Sequence, residues 1–80
     1  MYTLYILRCK DNSLYTGITN NLDARLEKHK SGKGSKYVRT RLPFVLVYKE
    51  ELPDKSSALK REIAIKNLAK IAKENLLKKI

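Results

Sequence analysis

The chain has 80 residues, 42% of them hydrophobic, and its 18 Lys and Arg against 8 Asp and Glu give a formal net charge of +10. So short a chain builds one hydrophobic core, and we expect a single domain over residues 1–80. No segment approaches the roughly 20 apolar residues of a membrane span. Cys9 and His29 are the only residues of their kinds, which excludes an internal disulfide and a zinc site of Cys and His ligands. The charge favours a nucleic-acid partner, and we expect a cytoplasmic protein.

A β-hairpin followed by a helix is predicted at the start of the chain. Aromatic and β-branched residues fill Tyr2–Cys9 and Leu14–Thr19, and the residues between these strands are turn formers. Asn20 or Asn21 can then cap a helix whose apolar stripe includes Leu22 and Leu26. This helix is expected to end at residues 31–32, where Ser is followed by Gly.

A basic loop and a third strand come next. Residues 32–42 are polar and strongly basic, with a short helical turn expected at residues 36–39. Pro43 introduces a strand predicted at Phe44–Glu50, whose apolar run suggests burial on both faces.

Helices are predicted for the rest of the chain. Pro53 and Asp54 break the third strand, and Ser56 or Ser57 is expected to cap a helix through about Ala69. Residues 72–79 form a third helix or continue the second. The predicted class is α/β of the α+β type: a small three-stranded antiparallel sheet flanked by helices, in the order β-β-α-β-α-α.

Polar side chains interrupt the apolar stripes of the first two helices. Arg25 and His29 lie one turn apart beside Leu22 and Leu26, so they should point inward or sideways. Glu62 falls between Ala58 and Ile65 in the second helix. An unpaired buried carboxylate is costly, and the alternative is that Glu62 reaches solvent and pairs with Lys66 at the i,i+4 spacing.

In these positions the chain resembles the GIY-YIG nuclease superfamily, and among its members the short stand-alone bacterial proteins. Thr3, Leu4 and Tyr5 stand in the place of GIY. Tyr15, Thr16 and Gly17 stand in the place of YIG. The positions of Arg25, His29 and Glu62 follow in the order of the family's functional residues. The chain departs from the family pattern at two positions. Ile18 stands where many members carry Lys, and Lys36 is a candidate substitute for that lysine. Glu74 stands where some members carry Asn, so that Asn75 lies one residue beyond the family's position.

The resemblance implies hydrolysis of phosphodiester bonds in DNA, with RNA and with branched or single-stranded DNA as further candidates. Glu62 would bind one divalent cation, Mg²⁺ or Mn²⁺, together with waters and phosphate oxygens. Arg25 would stabilise charge on the phosphoryl oxygens. Tyr5 and Tyr15 would orient or deprotonate the attacking water, a role that His29 could share. Without the family pattern, the tyrosines would be read as residues that fill the surface of the sheet.

The basic loop is the predicted nucleic-acid contact, and the residues assigned to it are Lys33, Lys36, Tyr37, Arg39 and Arg41. We expect a monomer with weak sequence preference, for which a protein partner would supply specificity. Two alternatives to a nuclease remain open: a non-catalytic nucleic-acid binding module of the same fold, and a basic adaptor that docks on an acidic protein.

A shared site requires that Tyr5 and Tyr15 lie on one face of the hairpin. Because side chains alternate along a strand, this holds only if the numbers of paired residues add to an even value. We therefore predict a hairpin loop of residues 11–13 that pairs Lys10 with Leu14, with Asn12 or Ser13 in the left-handed conformation.

Overall fold

The computed structural model describes residues 1–78 and contains one three-stranded antiparallel sheet in the order β2-β1-β3. The elements, in chain order, are β1 (Tyr2–Cys9), β2 (Leu14–Thr19), α1 (Leu22–Lys30), α2 (Lys36–Arg39), β3 (Phe44–Leu52), α3 (Lys55–Lys66) and α4 (Lys70–Leu77). The predicted fold class and element order are confirmed, and α2 is the predicted short helical turn. Within residues 1–78, no helix has the length and apolar character needed to cross a membrane.

Strand β1 occupies the centre of the sheet, and its two faces support two separate apolar clusters. Leu4 and Ile6 point to one face, where Ile65 of α3 packs on them. Tyr5 and Leu7 point to the other face and pack with Val38 of α2. Burial on both faces explains why nearly every residue in the middle of β1 is apolar, as expected for a central strand.

The hairpin has the predicted even register, but its loop lies elsewhere. Arg8 pairs with Leu14, so the predicted pairing of Lys10 with Leu14 is wrong. A Cys9 N–H···O bond to Ser13 closes the hairpin at 2.9 Å, and the loop is therefore residues 10–12. Asn12 has a φ of 70°. The last loop position must be left-handed, and Asn tolerates that conformation better than Ser, which accounts for the shift.

Strand β3 is an edge strand, contrary to the prediction of burial on both faces. Val45 is 57% exposed and Leu46 39% exposed. The register shifts between the pairs Ile6–Tyr48 and Leu7–Leu46, so Val47 has no partner in β1. Such a bulge adds twist to an edge strand and disturbs the alternation on which the prediction relied. The strand also runs to Leu52, two residues beyond the predicted end.

The helices differ from the prediction mainly at their ends. Asn21 caps α1, as expected, by accepting a hydrogen bond from Ala24 N. Helix α3 is capped by Asp54, which accepts from Ser57 N at 2.7 Å, so the predicted caps Ser56 and Ser57 are wrong. A carboxylate is as good an N-cap as a hydroxyl, and here it stands one residue before the helix.

Helix α3 ends at Lys66, before the predicted end at Ala69, and α4 is a separate helix. The final predicted helical residue, Lys79, lies outside the described residues. Helix α4 is fastened to β1 by Arg8, whose guanidinium donates to both carboxylate oxygens of Glu74 at 2.6 and 3.0 Å. The Glu74 that departs from the family pattern thus forms a structural ion pair.

Candidate functional site

The centre of the candidate site is a hydrogen bond between Tyr5 of β1 and His29 of α1. The Tyr5 hydroxyl lies 2.9 Å from His29 Nε2, and each residue is 1% exposed. Tyr5 pairs with Gly17 across the hairpin, and its ring lies over that glycine. A Cβ on Gly17 would stand 2.5 Å from the Tyr5 hydroxyl oxygen. Gly17, in the place of the glycine of YIG, therefore leaves room for the ring of Tyr5, in the place of the tyrosine of GIY.

Tyr15 lies on the same sheet face as Tyr5, as the even register requires. Its ring centroid is 6.4 Å from that of Tyr5 and 5.5 Å from that of His29. Tyr37 of α2 stacks on Tyr15 at 5.8 Å, and the Arg41 guanidinium lies 3.8 Å above the Tyr37 ring. The structure thus joins the hairpin, α1 and the basic loop through a continuous row of rings.

His29 is held neutral at pH 7 by its surroundings. Burial, and then the positive charge of Arg25, lower the pKa of His29 below its usual value. The Nδ1 atom is buried and has no hydrogen-bond partner within the described part of the chain. Gly34 packs against this nitrogen, since a Cβ there would stand 2.5 Å from Nδ1. A neutral ring whose Nε2 faces Tyr5 can exchange a proton with the phenol.

Arg25 lies one turn before His29 in α1 and affects the pKa of Tyr5. Burial and the nearby Tyr15 raise the pKa of Tyr5 to about 12, while the Arg25 guanidinium lowers it and Glu62 raises it. The Tyr5 phenol is therefore neutral at pH 7. Arg25 Nε is buried without a hydrogen-bond partner among residues 1–78. A buried donor without a partner is costly, and the accessible part of this half-buried side chain can bind an anion.

Glu62 is both sheltered and paired, which combines the two alternatives that the sequence left open. Its side chain is only 17% exposed, and its carboxylate lies 3.3 Å from Lys66 Nζ. Its charge is close enough to Tyr5 to affect the pKa of the phenol. Within residues 1–78 no group of three or more His, Cys, Asp or Glu side chains converges on one point. A cation placed at Glu62 would find one carboxylate there, a donor set that suits Mg²⁺ completed by waters and phosphate oxygens.

The basic loop presents three exposed cations and one that is already engaged. Lys33, Lys36 and Arg39 are exposed and form no salt bridge within the described part of the chain. Arg41 instead pairs with Asp11 at 3.0 Å and donates to the Tyr37 carbonyl. The loop can approach a phosphate backbone with the first three, whereas the charge of Arg41 is partly compensated.

Sequence reasoning missed the role of Gly34 and the engagement of Arg41. A glycine inside a basic loop is an ordinary turn residue, and only the fold reveals that it contacts His29. Ile18, which replaces the family's lysine, packs against the apolar cluster of Leu4, Ile6 and Ile65. That position therefore contributes to the core, and Lys36 lies on a different element, α2.

Comparisons with known proteins identify the family of the chain. The family model described as the GIY-YIG catalytic domain matches residues 1–75. A UPF0213 protein of Staphylococcus haemolyticus is 50% identical over 74 residues, which cover 92% of this chain and 90% of that protein. The solution NMR structure of a UPF0213 protein from Bacillus halodurans has 47% identity and a TM-score of 0.64, and the match covers 98% of this chain and 84% of that one. A second NMR structure, of an E. faecalis protein, has 36% identity and the same TM-score of 0.64, with 94% and 81% of the chains covered. The chain therefore belongs to the GIY-YIG family, a nuclease family, and its relatives are small stand-alone UPF0213 proteins.

Proposed function

We propose that the protein is a metal-dependent endonuclease that hydrolyses phosphodiester bonds in DNA. The observation that carries the proposal is the buried hydrogen bond between Tyr5 and His29, with Tyr15 and Arg25 around it. A phenol, an imidazole and a guanidinium at one point supply a proton acceptor and a cation for a phosphoryl group.

In this proposal Tyr5 and His29 act as a pair. A phenol with a pKa of about 12 keeps its proton at pH 7 and is a poor base alone. It accepts a proton from the attacking water only as its own proton passes to His29 Nε2, 2.9 Å away. The lowered pKa of His29 keeps the imidazole neutral and able to accept. Tyr15 orients the water from the same sheet face.

Arg25 binds the phosphoryl oxygens. Its guanidinium presents several fixed donors, one of which is buried without a partner in the described structure. Developing negative charge on the phosphate would be stabilised by this cation within a site from which much of the water is excluded.

Glu62 is the residue that would hold the divalent cation, Mg²⁺ or Mn²⁺. The single sheltered carboxylate fits a cation whose other ligands come from water and substrate. When bound, the cation supplies charge neutralisation at the phosphate and lowers the pKa of bound water. Lys66 lies next to one carboxylate oxygen, Oε2, and would compete with the cation for it.

The ion pair of Glu62 with Lys66 is also the observation that favours the second candidate, a non-catalytic nucleic-acid binding module. If the carboxylate stays paired, the basic surface still binds nucleic acid but no cation is anchored. The two functions differ in whether a divalent metal is required for any activity.

The deciding experiment incubates the purified chain with single-stranded, duplex and branched DNA and RNA, in Mg²⁺, in Mn²⁺ and in chelator. Metal-dependent cleavage of DNA is expected, and the RNA substrates show whether RNA is cut as well. Glu62→Gln is nearly isosteric but cannot anchor the cation, so cleavage should collapse while binding persists. Glu51→Gln, which changes an exposed carboxylate of β3, is the matched control. Metal-independent binding without cleavage of any substrate would establish the binding module instead.

Three further expectations belong to this proposal: a monomer, a cytoplasmic location, and a partner protein that supplies specificity. Sedimentation of the chain alone and with DNA tests the first expectation.

A further inference from the structure

A second basic surface includes Arg25 and none of the residues of the basic loop. An open cleft of about 450 Å³ is formed where β2 ends, α1 begins and α3 begins. Its volume falls within the roughly 300–1,000 Å³ that is typical of sites for small molecules. Arg25 is part of its wall, so the cleft adjoins the cluster around Tyr5 and His29.

The cleft wall carries positive charge without compensation. Lys28 of α1 and Lys55 of α3 line it together with Arg25, and the lining includes no acidic residue. Neither lysine forms a salt bridge among residues 1–78. Like charges brought together from different helices repel one another, and an anion between them would remove that cost.

Uncharged groups in the wall suit a ligand larger than a phosphate ion. Asn20 is exposed, and no hydrogen bond of its side chain appears within the described residues. Asn21 uses its Oδ1 to cap Ala24 N, which leaves its amide NH₂ group available. Tyr2 adds an aromatic ring to the lining. Amide groups and a ring are the partners that a base edge and a base face require.

We propose that this cleft binds one nucleotide of the substrate strand, directly beside the phosphate that Arg25 holds. Lys28 and Lys55 contact the phosphate of that nucleotide, and Asn20, Asn21 and Tyr2 contact its base and sugar. The nature of the strand rests on the proposed function, but occupancy of the cleft does not require cleavage. The substrate would then contact two surfaces, the basic loop and the cleft.

The first test uses the full chain in chelator, so that nothing is cut. Backbone amide resonances are followed during separate titrations with thymidine monophosphate, thymidine and inorganic phosphate. The monophosphate should shift the amides of Asn20, Asn21 and Ala24 at a lower concentration than either fragment, because it engages both parts of the wall. Equal binding of inorganic phosphate would overturn the nucleotide assignment, and unshifted amides in all three titrations would overturn the site.

The second test measures binding of a short single-stranded oligonucleotide, again in chelator. The Lys28→Ala/Lys55→Ala double variant should bind at least fivefold more weakly, and its salt slope should fall by roughly 0.7 for each phosphate that the variant no longer neutralises. The matched control is Lys49→Ala/Lys60→Ala, which removes the same charge from exposed positions that do not line the cleft.

Equal losses of affinity in the two double variants would show a nonspecific effect of net charge and would overturn the cleft. If the wild-type chain cleaves no substrate in the presence of Mg²⁺ or Mn²⁺, the proposed nuclease activity is wrong, but the binding of a nucleotide in the cleft is unaffected. The two proposals can therefore fail separately.

Discussion

Replacing Gly17 with alanine should break the centre of the candidate site. The new Cβ would stand 2.5 Å from the Tyr5 hydroxyl oxygen and 2.6 Å from Cζ, whereas ordinary contacts begin at 3.4 Å. The buried ring must therefore move by about 1 Å, and under the proposed nuclease function a shift of that size can cost roughly 100-fold in the cleavage rate. Such a movement also breaks the 2.9 Å bond to His29.

The stability cost of the same change has two parts. Overpacking a filled site costs about 1–3 kcal/mol, and loss of a neutral hydrogen bond adds about 1 kcal/mol. For a domain of this size, each kcal/mol lowers Tm by roughly 4–8 °C. Gly17→Ala should therefore melt at least about 8 °C below wild type. Thermal denaturation, the His29 ring resonances and the cleavage rate well below Tm are the three measurements.

Gly32→Ala provides the matched control for this prediction. Gly32 has a φ of +79°, but a Cβ there would meet only the flexible Arg39 side chain, at 3.5 Å from Cγ and 3.8 Å from Cδ, which are ordinary contacts. Alanine at a positive φ costs about 1 kcal/mol through the backbone alone, so the His29 resonances should stay unchanged. A Gly17→Ala variant with wild-type melting and wild-type His29 resonances would refute the packing argument.

Three other variants test separate parts of the structure. Replacing the loop cations Lys33, Lys36, Arg39 and Arg41 together should weaken binding to nucleic acids of all sequences and reduce the slope of log affinity against log salt concentration by up to about four units. Arg41 should contribute least because it is already paired with Asp11. An unchanged slope would show that the loop is not part of the interface. Burial lowers the pKa of His29 in the folded state, so the stability that the neutral ring contributes is present above about pH 6.5 and is lost as the pH falls towards the pKa of the folded protein. Urea unfolding should show that the free energy of unfolding falls more between pH 7.5 and pH 5.5 for wild type than for His29→Gln. The pKa of Glu74 is lowered by its bond to Arg8, so Glu74→Gln should destabilise the chain at neutral pH and much less in acid, and equal destabilisation at both would argue against the ion pair.

Local chemistry in the sequence was sufficient to predict the strands, the element order and the shared face of the tyrosines. Alternation along a strand depends only on whether the register is even, so Tyr5 and Tyr15 share a face although the predicted loop was misplaced. The left-handed residue was also predictable, because Asn is one of few residues that adopt the conformation readily. The capping of α1 by Asn21 follows from the same kind of local rule.

Features that depend on distant parts of the chain were not predictable. An apolar run such as residues 44–47 looks the same in a central and an edge strand, and only the position of β3 beside β1 leaves Val45 exposed. The pairing of Arg41 with Asp11 joins residues 30 positions apart, whose approach is set by tertiary packing. The contact of Gly34 with His29 is local, but it depends on the exact turn after α1, in which Gly34 N donates to the Lys28 carbonyl. The sequence likewise could not say whether Glu62 is sheltered or paired, since the fold provides both.

The ion pair between Arg8 and Glu74 joins residues 66 positions apart, and it has a consequence for the order of folding. The hairpin of β1 and β2 closes a short loop and can form early, whereas β3 and α4 must wait for long loops to close. We therefore expect a transition state in which the hairpin is largely formed and α4 is not. Substitutions in the hairpin should slow folding, while loss of Glu74 should mainly speed unfolding. During synthesis β1 emerges well before α4, so the 65 residues between Arg8 and Glu74 must be made before this ion pair can form.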